Sequence, residues 1–286
     1  MTVRIGTRRS RLALAQTAMV SSALKGCFPE LTVELVEIVT HGDRVLDKPL
    51  DRIGGKGVFV EEIEQALRAG EIDMAVHSAK DLPVQLGEGL EISGVLPRGD
   101  SRDMLITRSG EMPESGAVFT VGTGSLRRRR NFTALYPNAV FRDIRGNVDT
   151  RLRRLADGEN DGIVLCCAGI KRLGLSLSGF SVREFGCREF IPAPCQGIIA
   201  VECAAGSGAA ELARGISDPE TALCFAAERE IIAALGADCT VPVGAFTEIH
   251  GGTMDIVISS STGKTVTGSC APEDHSQKIK EMTAGL

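Results

Sequence analysis

The chain has 286 residues, of which 43% are hydrophobic and 24% are charged, and its formal net charge is -5. These values are typical of a folded protein with a sizeable interior and exclude a disordered chain. No apolar run in the sequence approaches the ~18 residues that a membrane-spanning helix needs, so we do not expect the chain to cross a bilayer.

Arginine dominates the basic residues, since the 32 basic side chains are 24 arginines and 8 lysines. Guanidinium binds carboxylate or phosphate through two parallel hydrogen bonds, so arginine-rich segments in an acidic protein favour local anion sites. The 9 cysteines form no CxxC pair, and an odd number does not suit a disulfide framework. We therefore expect reduced thiols and a cytoplasmic location.

Strand and helix patterns alternate over the first hundred residues. Strands are predicted at 3–5, 31–40 and 74–76, and Phe59, Ile63 and Leu67 have helical spacing. This alternation predicts a parallel sheet that is covered on both faces. Three arginines before an apolar stretch in residues 8–22 loosely imitate a signal peptide. Polar residues interrupt that stretch, so we expect a first strand and helix there.

A second set of elements begins near Pro97. Strands are predicted at 104–107, 117–121, 139–144 and 162–167, and a further strand near 203 could return the chain to the first set. Residues 219–235 have the pattern of an amphipathic helix, and three strands at 241–247, 253–259 and 264–268 are predicted to form an antiparallel meander before a short last helix. We predict domain 1 at 1–96 with 197–216, domain 2 at 97–196 and domain 3 at 217–286.

The strongest local signal is the segment 122–125, Gly-Thr-Gly-Ser, at a predicted strand exit and directly before a helix with Arg127 and Arg128. Such a turn directs backbone N–H groups and the positive end of the helix toward one place, which predicts an anion pocket. The four arginines of 127–130 are also compatible with a solvated helix face or a nuclear-localisation-like run.

Other candidates follow predicted strands. Arg145, Arg151 and Arg172 would meet at one sheet edge, although each alone is compatible with a surface charge. Asp81 follows a buried strand and suits acid–base work or stabilisation of a cation, with a turn or helix-cap role as the alternative. Cys239 lies in a loop, where either a covalent role or an unreactive, partly buried thiol is possible.

Together these segments resemble the signature motifs of the porphobilinogen deaminases, also called hydroxymethylbilane synthases. The similar segments run nearly end to end, at 6–16, 54–59, 75–81, 122–128, 145–152, 169–173 and 239–244. The chain departs from the family pattern at Arg11, Gly124, Cys195 and residues 237–238, where other residues are usual. These departures concern loop conformation more than chemistry.

The resemblance implies an α/β fold of two periplasmic-binding-protein-like lobes with doubly wound sheets and a small C-terminal α+β domain with an antiparallel sheet. It implies a transferase that joins four porphobilinogen molecules, with loss of ammonia, onto a dipyrromethane cofactor linked by a thioether to Cys239. It further implies that hydrolysis releases hydroxymethylbilane and that this product passes to uroporphyrinogen-III synthase. The family is usually monomeric and uses no metal.

The resemblance also assigns roles to residues. Asp81 would stabilise cationic intermediates and assist proton transfers, while Lys56 and Phe59 belong to a loop over the site. The residues that would hold cofactor and substrate carboxylates or line the site are Arg8, Ser10, Ser78, Lys80, Thr123, Ser125, Arg127, Arg128, Arg145, Gly146, Arg151, Arg172 and Gln196.

Two other classes of function remain open from the residues. A two-lobe fold would equally suit a binding protein for an anionic metabolite, because fold alone does not give function. Nucleic-acid binding through residues 127–130 would require salt-dependent affinity. Aromatic residues make up only 4% of the chain, which leaves few platforms for base stacking.

Overall fold

The computed structural model describes residues 1–40, 60–108, 110, 112–237 and 241–286. Lys56, Phe59 and Cys239 lie outside these residues. The chain divides into two compact units, the first formed by Met1–Gly99 with Gly197–Ala226 and the second by Asp100–Gln196 with Ala227–Leu286. The three-domain division stays a prediction.

The described strands are β1 (Thr2–Thr7), β2 (Thr32–Glu37), β3 (Met74–Ser78), β4 (Leu90–Val95), β5 (Asp103–Arg108), β6 (Thr120–Gly122), β7 (Val140–Arg142), β8 (Gly162–Cys166), β9 (Phe180–Glu184), β10 (Ile199–Ala204), β11 (Gly244–His250), β12 (Thr253–Ser259) and β13 (Thr265–Cys270). The described α-helices are α1 (Arg11–Cys27), α2 (Glu61–Arg68), α3 (Leu126–Leu135), α4 (Val148–Ala156), α5 (Cys167–Arg172), α6 (Gly208–Gly215), α7 (Pro219–Ala234) and α8 (His275–Thr283).

The first unit contains a five-stranded sheet of order β2-β1-β3-β10-β4. Strands β2, β1 and β3 are parallel, and β10 pairs antiparallel with both β3 and β4. One face packs apolar side chains such as Val3, Ile5 and Val201 against α1 and α6. The other face places Ala75 beneath Ile63 and other residues of α2, so both faces are covered.

The second unit repeats this plan with a sheet of order β7-β6-β8-β5-β9. Strands β7, β6 and β8 are parallel, and β5 pairs antiparallel with β8 and β9. Along β8, Ile163 and Leu165 face one core cluster, while Val164 faces an aromatic cluster that includes Phe132 and Phe190. This alternation follows from the two-residue repeat of a strand.

The second unit also contains the three-stranded antiparallel sheet β11-β12-β13, with α8 after it. The structure therefore confirms the fold class, with two α/β sheets and a small antiparallel sheet. Across the described residues, no helix combines the length and the apolar composition that crossing a membrane requires.

Several predicted elements differ in detail. The first sheet is not wholly parallel, because a buried apolar strand such as β10 does not encode its direction. In place of the strand predicted at 117–121, the structure has the shorter strand β6, which begins at Thr120, and Val118 before it is 77% exposed. The sequence patterns also missed β4 and β9, since edge strands bury less of one face and alternate weakly.

Candidate active site

At the carboxyl edge of the first sheet, β1 and β3 are parallel neighbours, so the residues after them lie together. Ser10 caps α1, and its hydroxyl accepts a hydrogen bond from the Ala13 backbone N–H at 3.2 Å. The buried Gln16 amide nitrogen lies 2.8 Å from the Ser78 hydroxyl oxygen, and the Gln16 amide oxygen lies 3.1 Å from it. This contact fixes α1 against the end of β3, where Arg8, Ser10, Ser78 and Lys80 are found.

Asp81 lies in a short 3₁₀ turn, Ala79–Asp81, directly after β3. The turn is anchored because Ala79 is buried and its N–H donates to the Ile198 carbonyl at 3.0 Å. Asp81 itself is exposed, and its carboxyl group makes no hydrogen bond or ion pair within the part of the chain that the structure describes. The carboxyl group is therefore held at the sheet edge and remains available to a ligand.

His77 lies on β3 before this turn and is buried. Its Nε2 lies 2.9 Å from Oε2 of Glu202, a fully buried residue on β10. His77 is therefore a buried residue with a hydrogen-bond partner inside the first unit. The sequence patterns missed Glu202, although one acidic residue inside the apolar strand β10 signals a buried partner, because an unpaired buried charge is strongly unfavourable.

The turn predicted at 122–125 is present in the second unit. Strand β6 ends at Gly122, and the Thr123 hydroxyl accepts a hydrogen bond from the Ser125 N–H at 3.2 Å. The Ser125 hydroxyl caps α3 by accepting from the Arg128 N–H at 3.4 Å. A ten-residue helix therefore begins at the carboxyl edge of the second sheet, and its positive end faces that edge.

Arg127 and Arg128 are buried on α3 and share one carboxyl group, that of Asp103. Arg127 Nη2 donates to Asp103 Oδ2 at 2.8 Å, while Arg128 donates from Nε at 3.1 Å and from Nη2 at 2.7 Å to Oδ1. Two backbone carbonyls, those of Ile191 and Val164, accept from the Nη1 atoms. The structure thus binds both guanidinium groups to internal acceptors.

The next two arginines also have internal partners. Arg129 donates to the Thr123 carbonyl and to Asp143 Oδ1, the latter at 2.6 Å. Arg130 donates to the Ser260 carbonyl and to the Ser259 hydroxyl, which docks α3 against the antiparallel sheet. Burial lowers the pKa of Arg130, and the nearby charge of Arg127 adds to this effect. The run 127–130 is therefore not a solvated basic face.

The other predicted arginines follow β7 and β8. Arg145 is half-buried, and within the described chain its guanidinium group donates no hydrogen bond. Arg151 Nε donates to the Gly146 carbonyl at 2.8 Å, and Gly146 has a φ of 104° that favours glycine. Arg172 ends α5, and burial lowers its pKa. These residues lie at the same edge as Thr123 and Ser125.

Gln196 is fully buried, and its Nε2 donates to the Ser101 carbonyl at 2.7 Å. This hydrogen bond therefore joins the beginning and the end of Asp100–Gln196, the first of the two segments that form the second unit. The neighbouring residue Cys195 has a φ of 61°, in the left-handed region where glycine is preferred. Cys195 is one of the positions at which the chain departs from the family pattern.

A group of acidic and thiol side chains stands beside this edge. Donor atoms of Asp100, Cys167 and Glu184 lie within 4.8 Å of one another. Arg102 forms ion pairs with Asp100 at 2.7 Å and with Glu184 at 2.6 Å, and Lys171 contacts Asp100 at 2.6 Å. Burial raises the pKa of the Cys167 thiol. The group thus contains its own cations, and we assign no metal to it.

Comparison with known proteins gives the family. Residues 3–211 match the family model described as "Porphobilinogen deaminase, dipyromethane cofactor binding domain". The chain belongs to the porphobilinogen deaminase family. The resemblance stated from the motifs is confirmed.

Two relatives called porphobilinogen deaminase illustrate the similarity. The protein of Chromobacterium violaceum is 40% identical over 288 residues, covering 98% of this chain and 92% of that protein. The protein of Roseiflexus sp. is 45% identical over 274 residues, covering 93% and 89%. Among solved structures, the BvgS periplasmic VFT2 domain of Bordetella pertussis is 17% identical, with a TM-score of 0.44, covering 79% of this chain and 92% of that one.

Within each unit, the donor groups at the carboxyl edge of its sheet suit the carboxylates of the cofactor that the family model names. A dipyrromethane carries acetate and propionate carboxylates, and hydroxyl, ammonium and guanidinium groups are the donors that bind carboxylates. In the first unit these donors would come from Ser10, Ser78 and Lys80. The attachment residue expected from the motifs, Cys239, is outside the described residues, as are Lys56 and Phe59 of the expected lid.

Proposed function

We propose that this chain is a porphobilinogen deaminase, a transferase that joins four porphobilinogen molecules head to tail and releases hydroxymethylbilane. The match to the family model over residues 3–211 carries the proposal. The motif residues in the described part of the chain support it, because they gather at the carboxyl edges of the two α/β sheets. In open α/β sheets, ligands collect at these edges.

In each addition, porphobilinogen loses ammonia as its C–N bond breaks, and a new C–C bond forms at a pyrrole α-carbon that then loses a proton. Positive charge develops on the incoming pyrrole when ammonia leaves. The Asp81 carboxyl group, exposed after β3, would stabilise this charge and accept a proton at a carboxyl oxygen. The cofactor, when bound, supplies the primer to which the units are added.

Arginines would hold the carboxylates of the substrate and of the growing chain. Arg145 and Arg172 follow β7 and β8, and Arg8 follows β1 in the other unit. Each added pyrrole brings an acetate and a propionate, so every addition requires further positive charge. Charge-assisted bidentate hydrogen bonds from guanidinium suit this task better than ammonium groups do.

We further propose that Cys239 carries the dipyrromethane through a thioether, and that the enzyme acts as a cytoplasmic monomer. Its product would pass to uroporphyrinogen-III synthase. No metal and no nucleic acid enters this scheme. The internal partners of residues 127–130 support the last point, because these arginines do not present a solvated patch to phosphates.

A turnover assay tests the proposal. Purified protein is incubated with porphobilinogen, the product is oxidised, and uroporphyrin is measured by absorbance and fluorescence. We expect steady formation of uroporphyrin together with release of one ammonia for each porphobilinogen consumed. A folded protein that binds porphobilinogen without converting it would instead be the binding protein considered above.

A further inference from the structure

Asp103 connects the two buried arginines at the carboxyl edge of the second sheet. It is fully buried, and its two carboxyl oxygens receive three hydrogen bonds from Arg127 and Arg128. We infer that Asp103 is a positioning residue that presets these two guanidinium groups for a pyrrole carboxylate and cancels one of their two charges. This inference rests on the proposed function.

The position of Asp103 in the sheet explains how it can do this. It is the first residue of β5, which runs antiparallel to β8, and in the register it lies opposite Cys166 at the end of β8. Asp103 therefore lies at the edge where the parallel strands end and where ligands collect. A carboxyl group of the protein thus stands beside the place that a ligand carboxylate would approach.

The positive charges of Arg127 and Arg128 exceed the negative charge of Asp103. Two guanidinium groups and one carboxylate together carry one net positive charge, in a place where only 5% of Arg127 and 8% of Arg128 are exposed. Removing charges from water is unfavourable, and a buried ion group that served only stability would gain from balanced charges. The excess positive charge is what a carboxylate ligand would neutralise.

The two arginines differ in how tightly Asp103 holds them. Burial lowers the pKa of Arg127 and outweighs the opposing effect of Asp103, to which Arg127 gives one N–H. Burial also acts to lower the pKa of Arg128, but Asp103 outweighs it and the pKa is raised, since Arg128 gives two N–H groups. Arginine remains charged in both cases. Asp103 thus binds two N–H groups of the Arg128 guanidinium and one N–H group of the Arg127 guanidinium.

Two variants test the inference by steady-state kinetics and by mass spectrometry of enzyme-bound intermediates. Asp103→Asn removes the charge but keeps the shape, and Asp103→Glu keeps the charge but moves it by about one carbon–carbon bond, ~1.5 Å. Displaced binding groups lower rates by about 10- to 100-fold, so we expect kcat to fall by that factor in both variants. We expect KM to change less than about threefold, and enzyme carrying one to three added pyrroles to accumulate.

A matched control is Asp161→Asn. Asp161 precedes β8 at the opposite edge, is half exposed, and accepts from Arg108 at 3.3 Å and from the Thr120 N–H at 2.8 Å. The kcat and KM of the Asp161→Asn variant should stay within about twofold of the wild-type values.

The outcomes separate this inference from the proposed function. If wild type does not convert porphobilinogen, the proposed function fails. If wild type is active, a folded Asp103→Asn or Asp103→Glu variant with wild-type kcat and an unchanged distribution of intermediates overturns the inference. Failure of both variants to fold would also overturn it, because Asp103 would then serve stability. If only one folds, its kinetics decide.

Discussion

Replacing Glu228 by glutamine is expected to destabilise the second unit. Glu228 is a fully buried residue of α7, and its Oε1 accepts from the Thr247 N–H at 2.8 Å and from the Thr247 hydroxyl at 2.9 Å. Its Oε2 accepts from the N–H of Cys195. One carboxyl group therefore joins α7, β11 and the loop before Gln196. In the chain, α7 and β11 lie on either side of the Cys239 segment.

The magnitude follows from the donors. A glutamine amide has one acceptor oxygen, so its NH₂ group would face either the Cys195 N–H or the Thr247 donors. A buried donor without a partner costs about 1–3 kcal/mol, and charge-assisted hydrogen bonds are about twice as strong as neutral ones. We therefore expect the free energy of unfolding to decrease by roughly 2–4 kcal/mol. For units of this size, this corresponds to a decrease in Tm of roughly 5–15 °C.

Thermal unfolding followed by circular dichroism measures this effect. The control is Glu230→Gln on the same helix, where the carboxyl group accepts from the Ser276 hydroxyl at 2.8 Å and the side chain is 44% exposed. This exposed site should change stability by less than about 1 kcal/mol. Equal Tm values for Glu228→Gln and Glu230→Gln would refute the argument that the buried carboxyl group joins these elements.

Three further substitutions test the site. Asp81→Asn should keep the wild-type Tm and lower kcat by about 100-fold or more, because neutral asparagine cannot stabilise a cation or accept a proton. The control variant Glu88→Gln changes an exposed residue of the same unit and should keep the wild-type kcat. A similar kcat in both variants would refute the role of Asp81. Arg145→Leu should slow elongation and shift the enzyme-bound intermediates toward shorter chains, whereas Arg153→Leu on α4 should leave their distribution unchanged. Mass spectrometry of the enzyme-bound intermediates measures this distribution. Gly146→Ala should lower the Tm through about 1–2 kcal/mol of backbone strain, since its φ is 104°, and an unchanged Tm would contradict this.

Much of the fold was predictable because the patterns are local. The alternation of β1, α1, β2 and β3 is visible in apolar spacing, and the turn at 122–125 combines a strand exit with the Ser125 cap. The meander follows from two-residue alternation between glycine-rich turns. Strand direction was less predictable, because β10 and β5 enter their sheets antiparallel through contacts that are distant in sequence.

The site was predictable at the level of residue type and sheet edge, but its internal pairing was not. The motif segments indicated Arg127 and Arg128 as anion binders, yet no local pattern showed that Asp103 would bind both. Asp103, Glu202 and Glu228 were missed because a charged residue is normally assigned to the surface. Glu202 interrupts an apolar run in the sequence, and that interruption is the signal of a buried partner. Asp103 and Glu228 each have charged neighbours in the sequence, which hide this signal.

In the proposed reaction, a polyacid chain grows while it is tethered to Cys239 and held by arginines. Mass spectrometry of the active protein, with the peptide that contains Cys239 isolated, shows whether the tether is present. We expect a mass increase on that peptide equal to two porphobilinogen molecules less two ammonia molecules, with the Cys195 peptide unmodified. An unmodified Cys239 thiol in protein that converts porphobilinogen would show that the growing chain is not attached there.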